Sequence, residues 1–246
     1  MSNSQQTKKL NPEEVGLAMY KILKDSNTGW HNVLKGFLLS GDFLNIIKTL
    51  EELVKDDKRF TPPLKDVFKA FTACSYEDLK VIIVGQDPYP QLGVADGIAF
   101  SCSKTDKKEA SLRYIHGAIA KTVYNNEVDP ASLSNDLSGW SKQGVLMLNT
   151  SLTTEVGKIG KHYDIWSPFI NYLIDMLKSS TSSYIWVLLG KKSQELEELI
   201  GDNHTILKAS HPASAAYAKA KEWDCNNVFN TINLHLEQDN LPKIIW

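Results

Sequence analysis

Four short apolar runs constrain the fold of this chain more than any other feature of its sequence. Each run is rich in the β-branched or large apolar residues that suit a buried strand. The runs occupy residues 81–84, 145–148, 184–189 and 205–208. Apolar residues recur at helical spacing between them, near 111–125, 165–178 and 192–200. Strands that alternate with helices predict an α/β fold, here a single-domain three-layer α/β/α arrangement with a central four-stranded, mainly parallel sheet.

The segments ahead of the first run predict how the domain begins. From about residue 12 to residue 71, apolar residues recur at helical spacing, and Pro62 and Pro63 interrupt the pattern. This spacing predicts a helical lead-in to the sheet. Residues 1–12 are polar and carry no apolar period, so we predict a flexible tail there and one domain over residues 13–246.

Charge and cysteine content narrow the setting of the protein. The formal net charge of -2 neither requires nor excludes a nucleic-acid partner. Cys74, Cys102 and Cys225 are widely spaced and form no C-x-x-C pair, so we expect no disulfide framework, no metal site and no cofactor. The sequence has no apolar signal region and no run of about 18 apolar residues, which predicts neither secretion nor membrane contact. We expect a monomer inside the cell, cytoplasmic in a prokaryote or nuclear in a eukaryote.

A short polar loop follows each of the four predicted strands. The loops comprise residues 85–89, 149–151, 190–192 and 210–212. In open parallel sheets, ligands bind beyond the carboxyl ends of the strands, where such loops meet. The sequence therefore predicts one functional site at this edge of the sheet.

Four motifs in these loops carry a resemblance to a known family. They are GQDPY at 85–89, GIAFS at 97–101, LMLN at 146–149 and HP at 211–212. In order, spacing and placement after successive strands they resemble the family 1 uracil-DNA glycosylases, over about residues 60 to 235. The resemblance implies a DNA repair enzyme that flips uracil out of DNA and hydrolyses its N-glycosidic bond, leaving an abasic site. Its implied partner is uracil-containing DNA, single- or double-stranded, and a DNA-mimicking inhibitor protein is a possible second partner.

Breaking a glycosidic bond requires negative charge near the sugar, which becomes cationic, and a hydrogen-bond donor near the departing base. Asp87 and His211 suit these two tasks. The resemblance implies that Asp87 positions the attacking water and stabilises the sugar cation, and that His211 donates to the uracil O2. A neutral imidazole can serve as that donor without repelling the sugar cation, so we predict a depressed pKa for His211.

Recognition of the base falls, by the same resemblance, to four residues after the first two strands. The carboxamide of Asn149 reads the O4 and N3 edge of uracil, and the ring of Tyr89 fills the space beside C5, where thymine carries a methyl. Phe100 stacks on the base, and the Gln86 backbone adds a contact. A mismatched edge would leave buried polar groups unpaired, at a cost of roughly 1–3 kcal/mol per group.

Contacts to DNA phosphates are expected from loop hydroxyls and cations. Ser111 matches a phosphate-contacting serine of the family. Lys191, Ser210 and Ser214 lie on loops that the family uses for the same purpose, and Lys192 is a further candidate.

Three departures from the family pattern stand out. Pro90 occupies the position that follows GQDPY, where the common motif has histidine. Ala215 aligns with the leucine that wedges into the DNA stack, so either Tyr217 or another loop residue fills that role, or flipping depends on backbone compression. The lysine-rich segment 104–110 replaces a proline-rich run, which predicts salt-dependent DNA binding.

Other functions leave weaker traces. His235 and Glu237 match the H-x-E of zinc deaminases, but no P-C-x-x-C follows. The sequence lacks a G-x-S-x-G elbow, a Walker A loop and a G-x-G-x-x-G motif. Two alternatives remain: a DNA-binding replication-accessory subunit that keeps the glycosylase fold, and a glycosylase of broader base range.

Overall fold

The computed structural model describes residues 11–246. The helices are α1 (Pro12–Asp25), α2 (Trp30–Leu38), α3 (Gly41–Lys55), α4 (Lys69–Ala73), α5 (Ala110–Thr122), α6 (Ser138–Ser141), α7 (Tyr163–Lys178), α8 (Lys191–Gln194), α9 (Glu197–Ile200), α10 (Pro212–Tyr217) and α11 (Val228–Gln238). The strands are β1 (Phe60–Thr61), β2 (Val81–Gly85), β3 (Val145–Asn149), β4 (Thr154–Glu155), β5 (Ile185–Leu189) and β6 (Thr205–Ala209). Two short 3₁₀ turns lie at Leu64–Asp66 and Pro130–Ser132.

The central sheet has four parallel strands in the order β3-β2-β5-β6. This confirms the predicted α/β fold with helices packed against a four-stranded parallel sheet. The strands β2, β3 and β5 are buried throughout, whereas the edge strand β6 is only partly covered. A separate antiparallel pair, β1 with β4, was not predicted, because strands of two residues leave no periodic pattern.

Side chains along the strands alternate between two cores, one on each face of the sheet. Ile82 and Val84 pack into the core that contains helices α1 to α3 and α7. Val81 and Ile83 pack into the opposite core, with helices α5 and α11. Because successive strand residues point to opposite faces, a run of four apolar residues has to be covered on both sides. This is why the apolar runs predicted three layers.

The helical lead-in is present as α1 to α4, and it packs on one face of the sheet through aromatic side chains. Phe37 contacts Phe169 of α7 edge-on, with ring centroids 5.3 Å apart. The side chain of Asn11 accepts from the Glu13 N–H at 3.2 Å, so it caps α1, which begins at Pro12. Of the predicted tail, Asn11 is thus the cap of this helix and Pro12 is its first residue, and residues 1–10 lie outside the described range.

Near the carboxyl end of the chain, two predictions need adjustment. The helix expected near 192–200 is two short helices, α8 and α9. Helix α11 was not predicted, although its apolar residues include Phe229 and Ile232, which are buried against the sheet. Over residues 11–246, none of the helices is long and apolar enough to span a membrane. The three cysteines are buried and form no disulfide with one another.

Candidate active site

A cavity of about 330 Å³ opens at the carboxyl edge of the sheet, within the volume range of sites for small ligands. Of the ten residues predicted for the site, the structure places eight on its wall. They are Gln86, Asp87, Tyr89, Phe100, Ser111, Asn149, His211 and Ser214. The other two, Lys191 and Ser210, lie outside the cavity wall. The loops after β2, β3 and β6 therefore converge as the strand order requires.

Asp87 follows β2, and its two carboxylate oxygens have different surroundings. Oδ2 accepts from the Tyr163 hydroxyl at 2.6 Å and from the Gly160 N–H at 3.0 Å. Oδ1 is buried and has no hydrogen-bond partner among the described residues. Burial raises the pKa of Asp87 above its usual value, and the hydrogen bond from Tyr163 partly offsets that rise. One oxygen is thus anchored, and the other is left to interact with a ligand.

His211 precedes α10, and its position determines which ring nitrogen carries the proton. The ring Nδ1 accepts from the Ala213 N–H at 3.2 Å, so the imidazole caps the helix. Because Nδ1 is an acceptor there, the proton of the neutral ring lies on Nε2. Burial lowers the pKa of His211 to about 4, the direction predicted from sequence. His211 is therefore a neutral hydrogen-bond donor at physiological pH.

Gly85, the last residue of β2, allows two side chains of the cavity wall to rest on the main chain. A Cβ at this position would lie 2.7 Å from Oδ1 of Asn149 and 2.8 Å from Cζ of Phe100. Any residue with a side chain would displace both. The glycine of the GQDPY motif is therefore required by this close approach.

Gly190, which follows β5, allows a similar close approach between Gln86 and His211. Its φ is +95°, and a Cβ would lie 2.7 Å from Nε2 of Gln86 and 2.8 Å from Cβ of His211. The loops after β2 and β6 can meet only because this position has neither a side chain nor a preference for negative φ. The orientation of His211 thus depends on Gly190.

Phe100 adopts a strained backbone conformation, with a φ of +63°. A bulky residue in the left-handed region costs about 1–3 kcal/mol, and such strain is concentrated at functional sites. The ring lies 5.7 Å from that of His211, and the Phe100 carbonyl accepts from the Tyr89 hydroxyl at 3.0 Å. The strained backbone and this hydrogen bond hold both aromatic rings on the cavity wall.

Asp96, which sequence analysis did not identify, stabilises the loop that carries Phe100. Its fully buried carboxylate accepts from the Ser101 hydroxyl at 2.6 Å and from the N–H groups of Ile98 and Ser103, each at 3.1 Å. Burial alone would raise the pKa of Asp96, but the hydrogen bonds from Ser101 and Ser103 outweigh it and lower the pKa. Hydrogen bonds to the buried Asp96 carboxylate thus hold the loop that carries Phe100 in place.

The predicted phosphate contacts have unequal access to solvent. Ser111 is buried near the start of α5 and faces the cavity, whereas Ser214 is exposed. Ser210 is also exposed, and its hydroxyl accepts from Trp223 Nε1 at 3.0 Å. Lys191 is exposed at the start of α8. Lys192 differs, because its Nζ contacts a carboxylate oxygen of Glu195 at 2.6 Å.

The departures from the family pattern have clear structural counterparts. Ala215 is buried in α10 with only 7% of its surface exposed, whereas Tyr217 at the end of this helix is 80% exposed and faces the cavity. The carbonyl of Pro90 accepts from the Gly157 N–H at 2.9 Å. In the lysine-rich segment, Lys108 donates to the carbonyls of residues 130 and 133, at 2.7 and 2.9 Å. This lysine is therefore engaged within the protein, which reduces the expected gain in salt dependence.

Sequence reasoning missed the groups that anchor Asp87. Gly160 and Tyr163 follow β4, more than 70 residues away along the chain. Tyr163 is the first residue of α7, where a tyrosine reads as an ordinary residue of a helix surface. Among the described residues, no group of three or more His, Cys, Asp or Glu side chains could hold a metal ion.

Comparison with known proteins identifies relatives over most of the chain. Residues 71–236 match the uracil DNA glycosylase superfamily. The uracil-DNA glycosylase of Amoebophilus asiaticus is 34% identical over 187 residues, which cover 75% of this chain and 82% of that protein. The uracil-DNA glycosylase of Campylobacter jejuni is 34% identical over 206 residues, covering 83% of this chain and 87% of the relative.

Solved structures show the same fold at lower identity. The crystal structure of mimivirus uracil-DNA glycosylase superposes with a TM-score of 0.78 at 23% identity, covering 97% of this chain and 90% of the other. A variant of the mimivirus protein in complex with UGI gives a TM-score of 0.79 at 24% identity, covering 97% and 91%.

Proposed function

The chain belongs to the uracil-DNA glycosylase superfamily and is a uracil-DNA glycosylase, and we propose that Asp87 and His211 divide its chemistry between the sugar and the base. The enzyme acts in DNA repair by releasing uracil from DNA. This division of roles is supported by one observation: the Asp87 carboxylate and the neutral His211 imidazole line the same cavity. These are the two groups that a cationic sugar and a departing uracil anion require.

Asp87 serves the sugar side of the reaction. Its Oδ1 accepts a hydrogen bond from the attacking water, while Oδ2 stays bound to Gly160 and Tyr163. The raised pKa makes this carboxylate a better acceptor for a water proton than an exposed aspartate. Its negative charge also stabilises the positive charge that develops on the deoxyribose as the glycosidic bond lengthens.

His211 serves the leaving group. The Nε2–H donates to the uracil O2, and this hydrogen bond strengthens as negative charge accumulates on the base. The capping bond from Ala213 to Nδ1 holds the ring in that tautomer. Because the ring is neutral, it does not oppose the cationic sugar nearby.

Base selection uses four other residues of the cavity wall. The Asn149 side chain pairs with the O4 and N3 edge, Phe100 stacks on the base, and the Gln86 backbone gives a further contact. The Tyr89 ring excludes the methyl group of thymine, and its bond to the Phe100 carbonyl prevents it from moving aside. Cytosine is rejected because its amino group would face the Asn149 amide donor.

DNA is held by Ser111 and Ser214 on the cavity wall and by Lys191 and Ser210 outside it, which bind phosphates flanking the flipped nucleotide. Single- and double-stranded DNA both present these phosphates.

The solved relative in complex with UGI, an inhibitor protein, supports a second proposal: a protein that mimics DNA can occupy the DNA-binding surface around the cavity. The DNA substrate and the unpaired cysteines support action inside the cell, and we propose that the enzyme acts there as a monomer.

When the uracil nucleotide flips out, it leaves a gap in the DNA base stack. We assign Tyr217 to fill this gap, because it is 80% exposed and lines the cavity while Ala215 is buried. Stacking of an aromatic ring on a base contributes roughly 1–3 kcal/mol. We therefore expect Tyr217→Ala to reduce kcat/KM on double-stranded DNA by about tenfold or more, and to have a smaller effect on single strands, where fewer base contacts are lost on flipping. Steady-state excision on matched oligonucleotides measures both. Equal losses on the two substrates would contradict this role.

The proposed function is tested with oligonucleotides that carry one uracil or one thymine opposite guanine. We expect release of uracil and an alkali-labile abasic site from the U:G duplex, with no release from the T:G duplex. Comparable cutting of both would show a broader glycosylase, and tight binding without cutting would show a DNA-binding accessory protein.

A further inference from the structure

We propose that Tyr163 is a positioning residue that aims the Asp87 carboxylate at the attacking water, an inference that rests on the role proposed above for Asp87. The Tyr163 hydroxyl donates to Oδ2 at 2.6 Å, and the Gly160 N–H donates to the same oxygen at 3.0 Å. Two donors on one oxygen fix the rotation of the carboxylate about its Cβ–Cγ bond. The direction in which Oδ1 points is therefore set by the segment that follows β4.

Tyr163 is itself held by a buried chain of hydrogen bonds at the start of α7. Trp166 Nε1 donates to Thr153 Oγ1 at 2.7 Å, and that hydroxyl contacts Nδ1 of His162 at 2.9 Å. Because the Thr153 oxygen accepts from Trp166, its own proton is available to His162. All three side chains are buried. His162, which precedes Tyr163, is thus held against Thr153, the residue before β4, and Thr153 is bonded in turn to Trp166 in the first turn of the helix.

The tyrosine ring also has two close neighbours, Lys192 and Gly160. Lys192 Nζ lies over the ring, 5.1 Å from its centroid, a cation–π contact. Gly160 packs against the ring so closely that a Cβ there would lie 3.3 Å from Cε2. With φ of +72°, Gly160 turns its N–H toward the carboxylate. The ring has little freedom to rotate away from Asp87.

The segment that carries both donors is fastened to the rest of the site. The Val156 N–H donates to the Arg59 carbonyl at 2.8 Å, and the Gly157 N–H donates to the Pro90 carbonyl at 2.9 Å. Pro90 lies three residues after Asp87, so donors and carboxylate are parts of one connected unit.

A phenol suits this task because it stays protonated. Burial, with the nearby Asp87 charge, raises the pKa of Tyr163 far above its usual value, so it donates at every working pH. A donor to the carboxylate favours its charged form, and for Asp87 this bond lowers a pKa that burial raises. The other titratable groups nearby are Lys192 of α8, Glu195 directly after that helix, and His211 on the cavity wall. A substitution at position 163 leaves all three in place.

Tyr163→Phe tests the proposal by removing only the hydroxyl. We expect kcat for uracil excision to fall by about tenfold to a hundredfold, the range for a hydrogen bond to a charged group, with KM for the oligonucleotide nearly unchanged. The acid limb of the kcat–pH profile should move to higher pH, because the Asp87 carboxylate loses a donor. Tyr172→Phe is the matched control: it lies on the same helix and donates to the Val33 carbonyl at 2.8 Å, away from the cavity.

A second pair of measurements separates positioning from general damage. In an Asp87→Asn background, Tyr163→Phe should cost much less than in the wild type, because both act through one carboxylate. Introducing 3-fluorotyrosine at position 163, which keeps the ring but makes the hydroxyl a stronger donor, should move the acid limb to lower pH. The proposal would be overturned if Tyr163→Phe lowered kcat equally in the wild-type and Asp87→Asn backgrounds. It would also be overturned if neither Tyr163→Phe nor 3-fluorotyrosine moved the acid limb. If Asp87→Asn is itself fully active, the role proposed for Asp87 fails instead.

Discussion

Asp87→Asn is expected to lower kcat for uracil excision about a thousandfold, while binding of the uracil-containing oligonucleotide is retained. The amide keeps the size of the carboxylate but has no negative charge for the sugar cation and is a poor acceptor for the water proton. Losses of roughly 10²–10⁴ are typical when a positioned base or charged group is removed. Single-turnover excision, with binding measured by fluorescence anisotropy, separates the two effects.

Asp164→Asn is a suitable control for this substitution. Asp164 lies in the first turn of α7, close in sequence to the donors of Asp87, but it is exposed and does not line the cavity. We expect this variant to retain wild-type kcat. An Asp87→Asn enzyme that kept more than a tenth of wild-type kcat would contradict the assignment of the sugar-side role.

His211→Ala is expected to lower kcat by about 10²–10³-fold, the usual loss when one donor to a developing oxyanion is removed. The substitution also removes the cap on α10, so excision should be compared well below the melting temperature of the variant. His235→Ala, on α11 and outside the cavity, is the matched control and should leave excision unchanged. A His235→Ala variant with impaired excision would revive the H-x-E motif as a functional element.

The protonation state of His211 gives an independent check on the same role. Its pKa of about 4 lies below the ordinary value of 6.5, so protons bind this ring only when the pH falls toward 4. Between about pH 5.5 and 8, ¹⁵N NMR should therefore show a neutral ring with its proton on Nε2, in the free enzyme and with bound DNA. A cationic ring at pH 7, or activity that rises as the pH falls through 6.5, would contradict a neutral donor.

The parts of the fold that sequence predicted are those governed by burial. A strand covered on both faces has to be apolar at every position, so β2, β3 and β5 could be predicted from their continuous apolar runs. The pair of β1 with β4 is too short to show a period. The segment near 192–200 was read as one helix because periodicity continues across residues 195 and 196, where the structure has a break between α8 and α9.

For the site, sequence located the residues that follow strands but not those that support them. Asp87, Asn149 and His211 each lie within two residues of a strand end, so parallel topology alone brings them to one edge. Tyr163 approaches Asp87 from a helix start, and Asp96 is buried within a loop. Their contacts depend on loop paths, which no periodic pattern records. The residue proposed to fill the DNA stack could not be chosen from the sequence either. The resemblance aligns Ala215 with the family leucine, but Ala215 is buried and Tyr217 is exposed.

The glycines at positions 85 and 190 limit how the specificity of this enzyme can evolve. Asn149 and Phe100 rest on one, and Gln86 and His211 on the other. Both supports are already the smallest residue available, so mutation there can only push the walls inward and shrink the pocket. Adaptation to a purine has to begin by trimming an aromatic wall rather than by deepening the pocket, and selections for enlarged substrate range should yield changes at Tyr89 or Phe100 and none at the two glycines.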